Sequence, residues 1–436
     1  MNPLRKIRLG KIFYQGWILV RSAAFAQGII LLAIPLLSRL YGPKEFGIYA
    51  ICSSVLSISL AVSSLRYELA IPVAKSDREA MYLSYIALLL LVPVSIVQVI
   101  ILAILSNEHF SLFGGQFAQI RPYIFLIALG TVSGGVYQIL TYGAIRYGLF
   151  EDIAATRSRQ SIAQTVFQIV SGLVSAGPSG LILGFIMGKS VGSVRLGRRV
   201  LSFDAIGHLR LRLLSLTAYR YRKFPVYLSW SGLLNTAGME LPLILLGGLY
   251  GPQVSGWFGL ALRITSIPSA LIGQAVSQVY LHEFTSALRN KTEDVLKVYN
   301  RFMLGLFAVS VLGVILYISV LPVMFPLVFS QEWEPAICYV LYLMPMFVTQ
   351  LVVAPLSQTL IVGGRESWQS LWDTVRVLVI VLWTFLASRF HLTDTQAVLG
   401  VSVSMSACYV SLFILSRRLL HDIRRQFKDG IYHEFS

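Results

Sequence analysis

The sequence predicts an all-α polytopic membrane protein of about twelve transmembrane helices, in two parallel six-helix halves around a central cavity. Three observations carry this. First, runs of roughly 18 to 25 mostly apolar residues follow one another along the chain, each long enough to cross the hydrocarbon of a bilayer. Composition agrees: 56% of residues are hydrophobic and 13% charged, against about 25% charged in an ordinary soluble chain. Second, Leu40-Tyr41-Gly42-Pro43-Lys44-Glu45-Phe46-Gly47 returns as Leu249-Tyr250-Gly251-Pro252-Gln253-Val254-Ser255-Gly256, with Leu, Tyr, Gly, Pro and the last Gly shared. Each copy reads as a hairpin between two long helices, because Pro cannot extend the preceding helix and Gly tolerates positive φ. A repeat at the head of each half points to internal duplication. Third, Lys and Arg are unequally divided between the two sides of the expected membrane.

The expected spans, taken in order, are 14–40, 47–65, 80–105, 120–142, 160–176, 179–197, 224–249, 256–280, 301–321, 336–361, 368–388 and 396–416. Spans five and six are short and joined only by Gly177-Pro178. With the N-terminus inside, the inner segments hold 29 of the 36 Lys and Arg and the outer segments hold 4: Arg39, Lys44, Arg121 and Arg389. This asymmetry expects both termini of a multi-pass protein in the cytosol. The first apolar run is too long for a signal-peptide core and should remain as a span. Six spans per half put both halves into the membrane in the same sense. The expected organisation is therefore an N-terminal half over 1–197, a basic linker over 198–223, a C-terminal half over 224–416 and a basic tail over 417–436.

The net charge of +16 lies in short connectors, so it reads as a topology signal and not as a nucleic-acid surface. In the linker, Ile206, Leu209, Leu213 and Leu216 recur at helical spacing among Arg210, Arg212, Arg220, Arg222 and Lys223. That pattern predicts an amphipathic helix touching anionic head groups. Cys52, Cys338 and Cys408 stand singly in apolar runs and suggest neither a disulfide framework nor a metal site. The histidines show no ligand spacing. Gly184-Phe185-Ile186-Met187-Gly188-Lys189-Ser190 is one residue short of a phosphate loop and sits in an apolar run, so it is rejected. No hydrolase or ATPase motif is present, and no cofactor is expected.

Pro35, Pro93, Pro242, Pro268, Pro345 and Pro355 fall inside expected spans and should bend them. Ionisable groups within spans are the informative residues, since a charge near the bilayer centre costs ~2.5–3.5 kcal/mol on insertion scales and turns toward a cavity. Arg21 lies ten residues past Lys11, about 15 Å of helix rise. Arg263 lies seven residues past Gly256, about 10 Å from the opposite side. Glu240 on span seven is a candidate partner for either. Arg376 follows Asp373 by three residues, the spacing of a helical ion pair. Gln27 and Asn235 add amides on spans one and seven. Gln160, Gln164 and Gln168 form a stripe on span five; Gln274 and Gln278 do so on span eight, and Gln350 and Gln358 on span ten. Such stripes serve either a wet interior or helix-to-helix hydrogen bonds. The candidate cavity residues are thus Arg21, Arg263, Gln27, Asn235, Glu240 and Arg376. Cationic Arg in a dry cavity suits an anionic substrate, because Arg binds phosphate oxygens bidentately.

Leu37-Ser38-Arg39-Leu40-Tyr41-Gly42-Pro43-Lys44-Glu45-Phe46-Gly47, followed by Leu65-Arg66-Tyr67-Glu68-Leu69-Ala70-Ile71-Pro72, resembles the opening of bacterial polysaccharide-biosynthesis flippases of the Wzx type. Gly273-Gln274-Ala275-Val276-Ser277-Gln278-Val279-Tyr280 is similar to that family's eighth span. The family belongs to the MOP superfamily, with MurJ lipid II flippases and MATE drug exporters. The resemblance implies movement of an undecaprenyl-diphosphate-linked oligosaccharide, an O-antigen or other surface-polysaccharide unit, from the cytosolic to the periplasmic leaflet. It implies that the sugar head crosses in the cavity while the tail stays in the bilayer, and that Arg21 and Arg263 serve the diphosphate. Membrane lipids, a polysaccharide polymerase and chain-length proteins are the partners it suggests. Coupling to H+ or Na+ is left open. The alternative is a MATE-like cation-coupled exporter, which would call for unpaired acidic residues in the spans. An integral-membrane glycosyltransferase is disfavoured because no long outer loop carries acid or base residues.

Overall fold

A computed structural model of the chain describes residues 3–107, 116–201, 211–289 and 295–428. Among the described residues every regular element is helical. In hydrocarbon a chain must satisfy its backbone groups within itself, and helices do so residue by residue. Two compact units divide the chain. The first is Met1–Glu240 with Gly247–Ser255, and the second is Leu241–Leu246 with Gly256–Ser436.

The first unit opens on α1 (Pro3–Leu40) and α2 (Pro43–Val62), joined at the first Tyr-Gly-Pro turn. Gly42 caps α2, Pro43 starts it, and the Glu45 carboxylate accepts the Gly42 N–H at 3.1 Å. A carboxylate in the first turn satisfies a free donor and complements the helix dipole. Beyond α2 come α3 (Asp77–Leu105), α4 (Ile124–Arg146), α5 (Phe150–Leu173), α6 (Pro178–Ser190), α7 (Ser193–Val200) and α8 (Leu211–Arg220). Next is α9 (Ser229–Tyr250), which ends at the second Tyr-Gly-Pro turn, after which α10 (Pro252–Arg289) begins. There Gly251 has φ +90°, a conformation that a side chain resists. The two turns therefore share a sequence but not a mechanism: the first is held by a capping carboxylate, the second by a left-handed glycine.

The second unit continues with α11 (Val295–Val328), α12 (Pro335–Tyr342), α13 (Met344–Val353), α14 (Gln358–Val362), α15 (Glu366–Arg389) and α16 (Asp394–Lys428). The run expected as span ten is broken. Pro345 stands at the start of α13, and Pro355 lies in a short 3-10 turn, Ala354–Leu356, before α14. These two prolines therefore mark helix breaks. Pro35, Pro93, Pro242 and Pro268 lie inside helices as expected.

Ten helical segments among the described residues are long and apolar enough to cross a membrane. They correspond to ten of the twelve expected spans. The other two, α5 and α6, are present as helices but fall outside that class. α5 has Glu151 and Asp152 in its first turn and also carries Arg157 and Arg159, while α6 has 13 residues, about 20 Å of rise. Ile206, Leu209 and Arg210 of the expected linker helix, and residues 429–436 of the tail, lie outside the described residues.

The α5–α6 pair explains two sequence features at once. Gln160, Gln164 and Gln168 are buried. The Gln160 side chain donates to the Lys189 carbonyl at 3.0 Å, and that of Gln168 to the Leu181 carbonyl at 2.9 Å. This amide stripe therefore serves helix packing and not a wet interior. Gly180, Gly184 and Gly188 face it: a Cβ on Gly184 would stand 2.5 Å from Gln168 Cγ, and one on Gly188 2.7 Å from Gln164 Cβ. The glycines of the rejected phosphate-loop pattern thus let two helices approach, as small residues do between membrane helices. Tyr41 locks the first hairpin onto the same pair. It is 2% exposed, and its hydroxyl donates to the Gln168 carbonyl at 2.8 Å, with the Ser171 hydroxyl at 3.1 Å. The other amides differ: Gln274 and Gln278 are exposed, and Gln350 and Gln358 are partly buried.

In the second unit Asp373 and Arg376 form the ion pair that their spacing predicts, at 2.9 Å, with Arg376 1% exposed. The guanidinium also lies 4.6 Å from the centre of the Trp372 ring. Trp372 is itself anchored by donating to the Cys408 carbonyl at 2.7 Å.

Gly184→Leu should destabilise the protein by about 1–3 kcal/mol through overpacking, read as an earlier thermal unfolding in detergent. Gly28→Ala, where nothing stands within 4 Å, should leave the unfolding temperature in place. Arg376→Leu should cost about 3–5 kcal/mol by stranding a buried carboxylate, and adding Asp373→Leu should recover most of it. The same unfolding measurement checks both.

Candidate functional site

Arg21 stands on α1 with Ile18, Ser22 and Phe25, one helix face at spacing i, i+3, i+4 and i+7. Opposite lie Glu151, Ala154, Ala155 and Ser158 of α5, the same spacing repeated. The small side chains at 154, 155 and 158 leave room that Leu or Phe would fill. The result is a cavity of about 580 Å³, within the ~300–1,000 Å³ range of ligand sites. Its charged groups are one guanidinium and one carboxylate. Both are exposed, and among the described residues neither makes an ion pair. The Ser22 hydroxyl donates to the Leu19 carbonyl at 2.9 Å, and the Ser158 hydroxyl to the Ala154 carbonyl at 3.1 Å. Their oxygens keep lone pairs for a ligand's hydroxyls. Such a lining can hold an anion on Arg21 and hydrogen-bond polar groups around it, with Phe25 as an apolar wall.

The other sequence-predicted residues are spread over both units. Gln27, six residues beyond Arg21 on α1, is exposed and about a third of a turn away. Asn235 and Glu240 lie on α9, exposed and partly buried respectively. Arg263, on α10 of the second unit, is partly buried. Arg376 is committed to its buried pair with Asp373, so its charge is spent on structure. Of the six, Arg21 is the one this cavity gathers.

Sequence reasoning missed Glu151. Residues 143–159 read as an inner connector, whereas α5 starts at Phe150 and brings Glu151 onto its first turn. The stripe of 151, 154, 155 and 158, one acid followed by three small residues at helical spacing, was the available signal.

Glu68 is a second acidic residue that the sequence reading did not place among the candidates. After α2 the chain turns through Leu65 (φ +48°) and Arg66 (φ +60°). Left-handed conformations in non-glycine residues persist only where the surroundings hold them. The turn places Glu68, 1% exposed, where it accepts from the Ser64 hydroxyl and from the Gln138 amide at 3.1 Å. The adjacent Arg66 guanidinium packs so closely on Gly232 that a Cβ there would collide with it. Burial pushes the Glu68 carboxyl above the usual carboxylate range, opposed by the Ser64 hydroxyl, its own backbone N–H and the Arg66 charge. Arg146 braces the following loop, donating to the Ile71 and Ala74 carbonyls at 3.1 and 2.9 Å and pairing with Asp77 at 2.9 Å. Among the described residues no group of three or more His, Cys, Asp or Glu could hold a metal ion.

The fold defines a multi-pass helical membrane protein. The structure superposes on a lipid II flippase, MurJ, in an inward closed conformation, with TM-score 0.68 and 10% identity over 96% of this chain and 91% of that one. It also superposes on an inward-facing multidrug-resistance MATE transporter of the MOP superfamily, with TM-score 0.58 and 15% identity over 93% and 95% of the two chains. Residues 36–338, more than half of the chain, match the family described as polysaccharide biosynthesis protein. The chain belongs to that family. It is similar to amylovoran biosynthesis protein AmsL of Erwinia amylovora, 22% identical over 45% of this chain and 50% of that protein. It is likewise similar to teichuronic acid biosynthesis protein TuaB of Bacillus subtilis, 26% identical over 44% of this chain and 38% of that protein. The aligned stretch thus spans half or less of each relative.

Glu68 binds its proton more tightly in the folded state than in the unfolded state. Its contribution to stability should therefore be present at low pH and decline as pH rises from the ordinary carboxylate range through the raised value. Glu68→Gln, which keeps an acceptor for Gln138, should flatten that part of the curve of unfolding temperature against pH.

Proposed function

We propose that the protein is a flippase that carries an undecaprenyl-diphosphate-linked oligosaccharide, an O-antigen or other surface-polysaccharide unit, from the cytosolic to the periplasmic leaflet by alternating access. Membership of the polysaccharide-biosynthesis family, matched over residues 36–338, carries this reading. The cavity chemistry supports it. The Arg21 guanidinium offers paired donors to a diphosphate, and Ser22, Ser158 and Glu151 offer acceptors to sugar hydroxyls. Gln27, Asn235 and Glu240 of the same unit are further proposed substrate contacts, and Arg263 is proposed as one within the second unit. Arg376 is left out because its charge is already neutralised. We place the protein in the inner membrane, as a flippase of this substrate requires, with both ends cytosolic on the division of Lys and Arg between connectors. A polysaccharide polymerase and chain-length proteins are the proposed partners.

The test is leaflet accessibility of the polyprenyl-diphosphate oligosaccharide in cells with and without the protein. Loss should leave the lipid on the cytosolic side, and wild type should restore it. Arg21→Ala should slow flipping roughly 10- to 100-fold at unchanged protein level, the loss of a charge-assisted hydrogen bond worth about 1.5–3 kcal/mol. Arg21→Lys should fall between the two, since a point charge replaces a planar fork. Purified protein that moves no such lipid in liposomes while exchanging a small cation would favour the exporter reading instead.

A further inference from the structure

The connector that leads into α9 has two faces with different chemistry. On one face Leu214, Ala218, Tyr221 and Phe224 pack against a core that includes Tyr67, Ala70, Ile71, Ala74 and Leu83. Hydrogen bonds fix that face. Tyr67 donates to the Ala218 carbonyl at 3.1 Å, Tyr221 donates to the Glu79 carboxylate at 2.8 Å and accepts the Lys75 N–H at 3.3 Å, and Arg220 pairs with Glu79.

With one face held, the other is fixed in direction. Arg212, Leu216 and Tyr219 share one face of α8, and beyond its end at Arg220 the chain passes through a π-helical turn, Phe224–Leu228, to Trp230 on α9. Arg212, Arg222 and Lys223 are exposed. So are Leu216 (56%), Tyr219 (65%), Val226 (62%), Tyr227 (69%) and Trp230 (62%). The Arg222 guanidinium lies 4.2 Å from the centre of the Tyr219 ring. No Asp or Glu occurs between Asp204 and Glu240, so nothing acidic in this stretch offsets the cations. The stripe also runs into the start of a candidate span, Phe224–Tyr250.

Large apolar side chains exposed beside cations, at the mouth of a span, match one surface. Tyr and Trp settle at the head-group level of a bilayer, and cations next to them gain from anionic lipid. We propose that this stripe is a binding site for anionic phospholipid head groups. Arg212, Arg222 and Lys223 take the phosphates, while Leu216, Tyr219, Val226, Tyr227 and Trp230 seat in the interface. A soluble polyanion would use the cations but leave the exposed apolar groups without a partner. Because the opposite face of α8 grips the loop at 67–79, the connector straps that loop to the lipid surface. The inference is independent of the transported substrate.

The test uses the full-length protein in phosphatidylcholine liposomes doped with either brominated phosphatidylglycerol or brominated phosphatidylcholine, which quench nearby tryptophan. Wild type should show stronger quenching by the anionic lipid, the excess should vanish in Trp230→Phe, and high salt should reduce it. In Arg212→Gln/Arg222→Gln/Lys223→Gln the preference should collapse, each near-surface cation accounting for about fivefold in lipid affinity. These side chains are exposed, so the variant should keep the wild-type helical signal and elution volume. Equal quenching by the two lipids in wild type would overturn the proposal. So would a preference that survives the triple substitution, or cations that bind a soluble oligonucleotide while showing no lipid preference.

Discussion

Hydrocarbon offers no hydrogen bonds, and most of this structure answers that constraint. A polar backbone group left unpaired in the bilayer costs several kcal/mol. The chain therefore runs as long helices, and side chains are tied back into helix–helix contacts. The α5–α6 pair shows the logic in full. Amides of α5 donate to carbonyls of α6, and glycines on α6 remove the bulk that would hold the two apart. Tyr41 then reaches the same pair from the turn after α1. The first hairpin, the amide stripe and the glycine series are one packing unit written in three separate parts of the sequence.

The same constraint decides which charges are available for chemistry. Arg376 sits on a span and is buried, but Asp373 and the Trp372 ring neutralise and cover it. Glu68 is buried with hydrogen-bonding neighbours, and burial favours its neutral form. Arg21 and Glu151 instead share a cavity between α1 and α5 without consuming each other. This cavity is the one proposed to hold an anion with polar substituents. Of the residues that lower the hydropathy of α5, Glu151 and Ser158 line the cavity, whereas Arg157, Arg159 and the Gln160, Gln164 and Gln168 stripe do not.

The connector before α9 adds a mechanical consequence. A helix held on one face by Tyr67, Tyr221 and Glu79 and drawn on the other toward the membrane surface links the loop after α2 to the lipid. Such a strap sets the position of the loop that carries the left-handed turn at Leu65 and Arg66.

The sequence by itself determined the membrane-spanning class, both Tyr-Gly-Pro hairpins, ten of the spans and the Asp373–Arg376 pair. Each of these rests on local information: apolar length, a turn dipeptide or an i, i+3 spacing. It also carried the family resemblance, because the stretches around Tyr41 and around Glu68 are each contiguous in the chain. Tertiary structure alone decided what the amides of α5 do, since Gln160, Gln164 and Gln168 serve a wet cavity or a dry contact according to what faces them. It alone brought Glu151 opposite Arg21, because residues so far apart in sequence meet only when α1 packs along α5. It alone showed Pro345 and Pro355 as breaks and not bends. Spacing along one helix can be read from a single stretch of chain; the partner across a helix interface cannot, because it depends on which two faces the whole fold presses together.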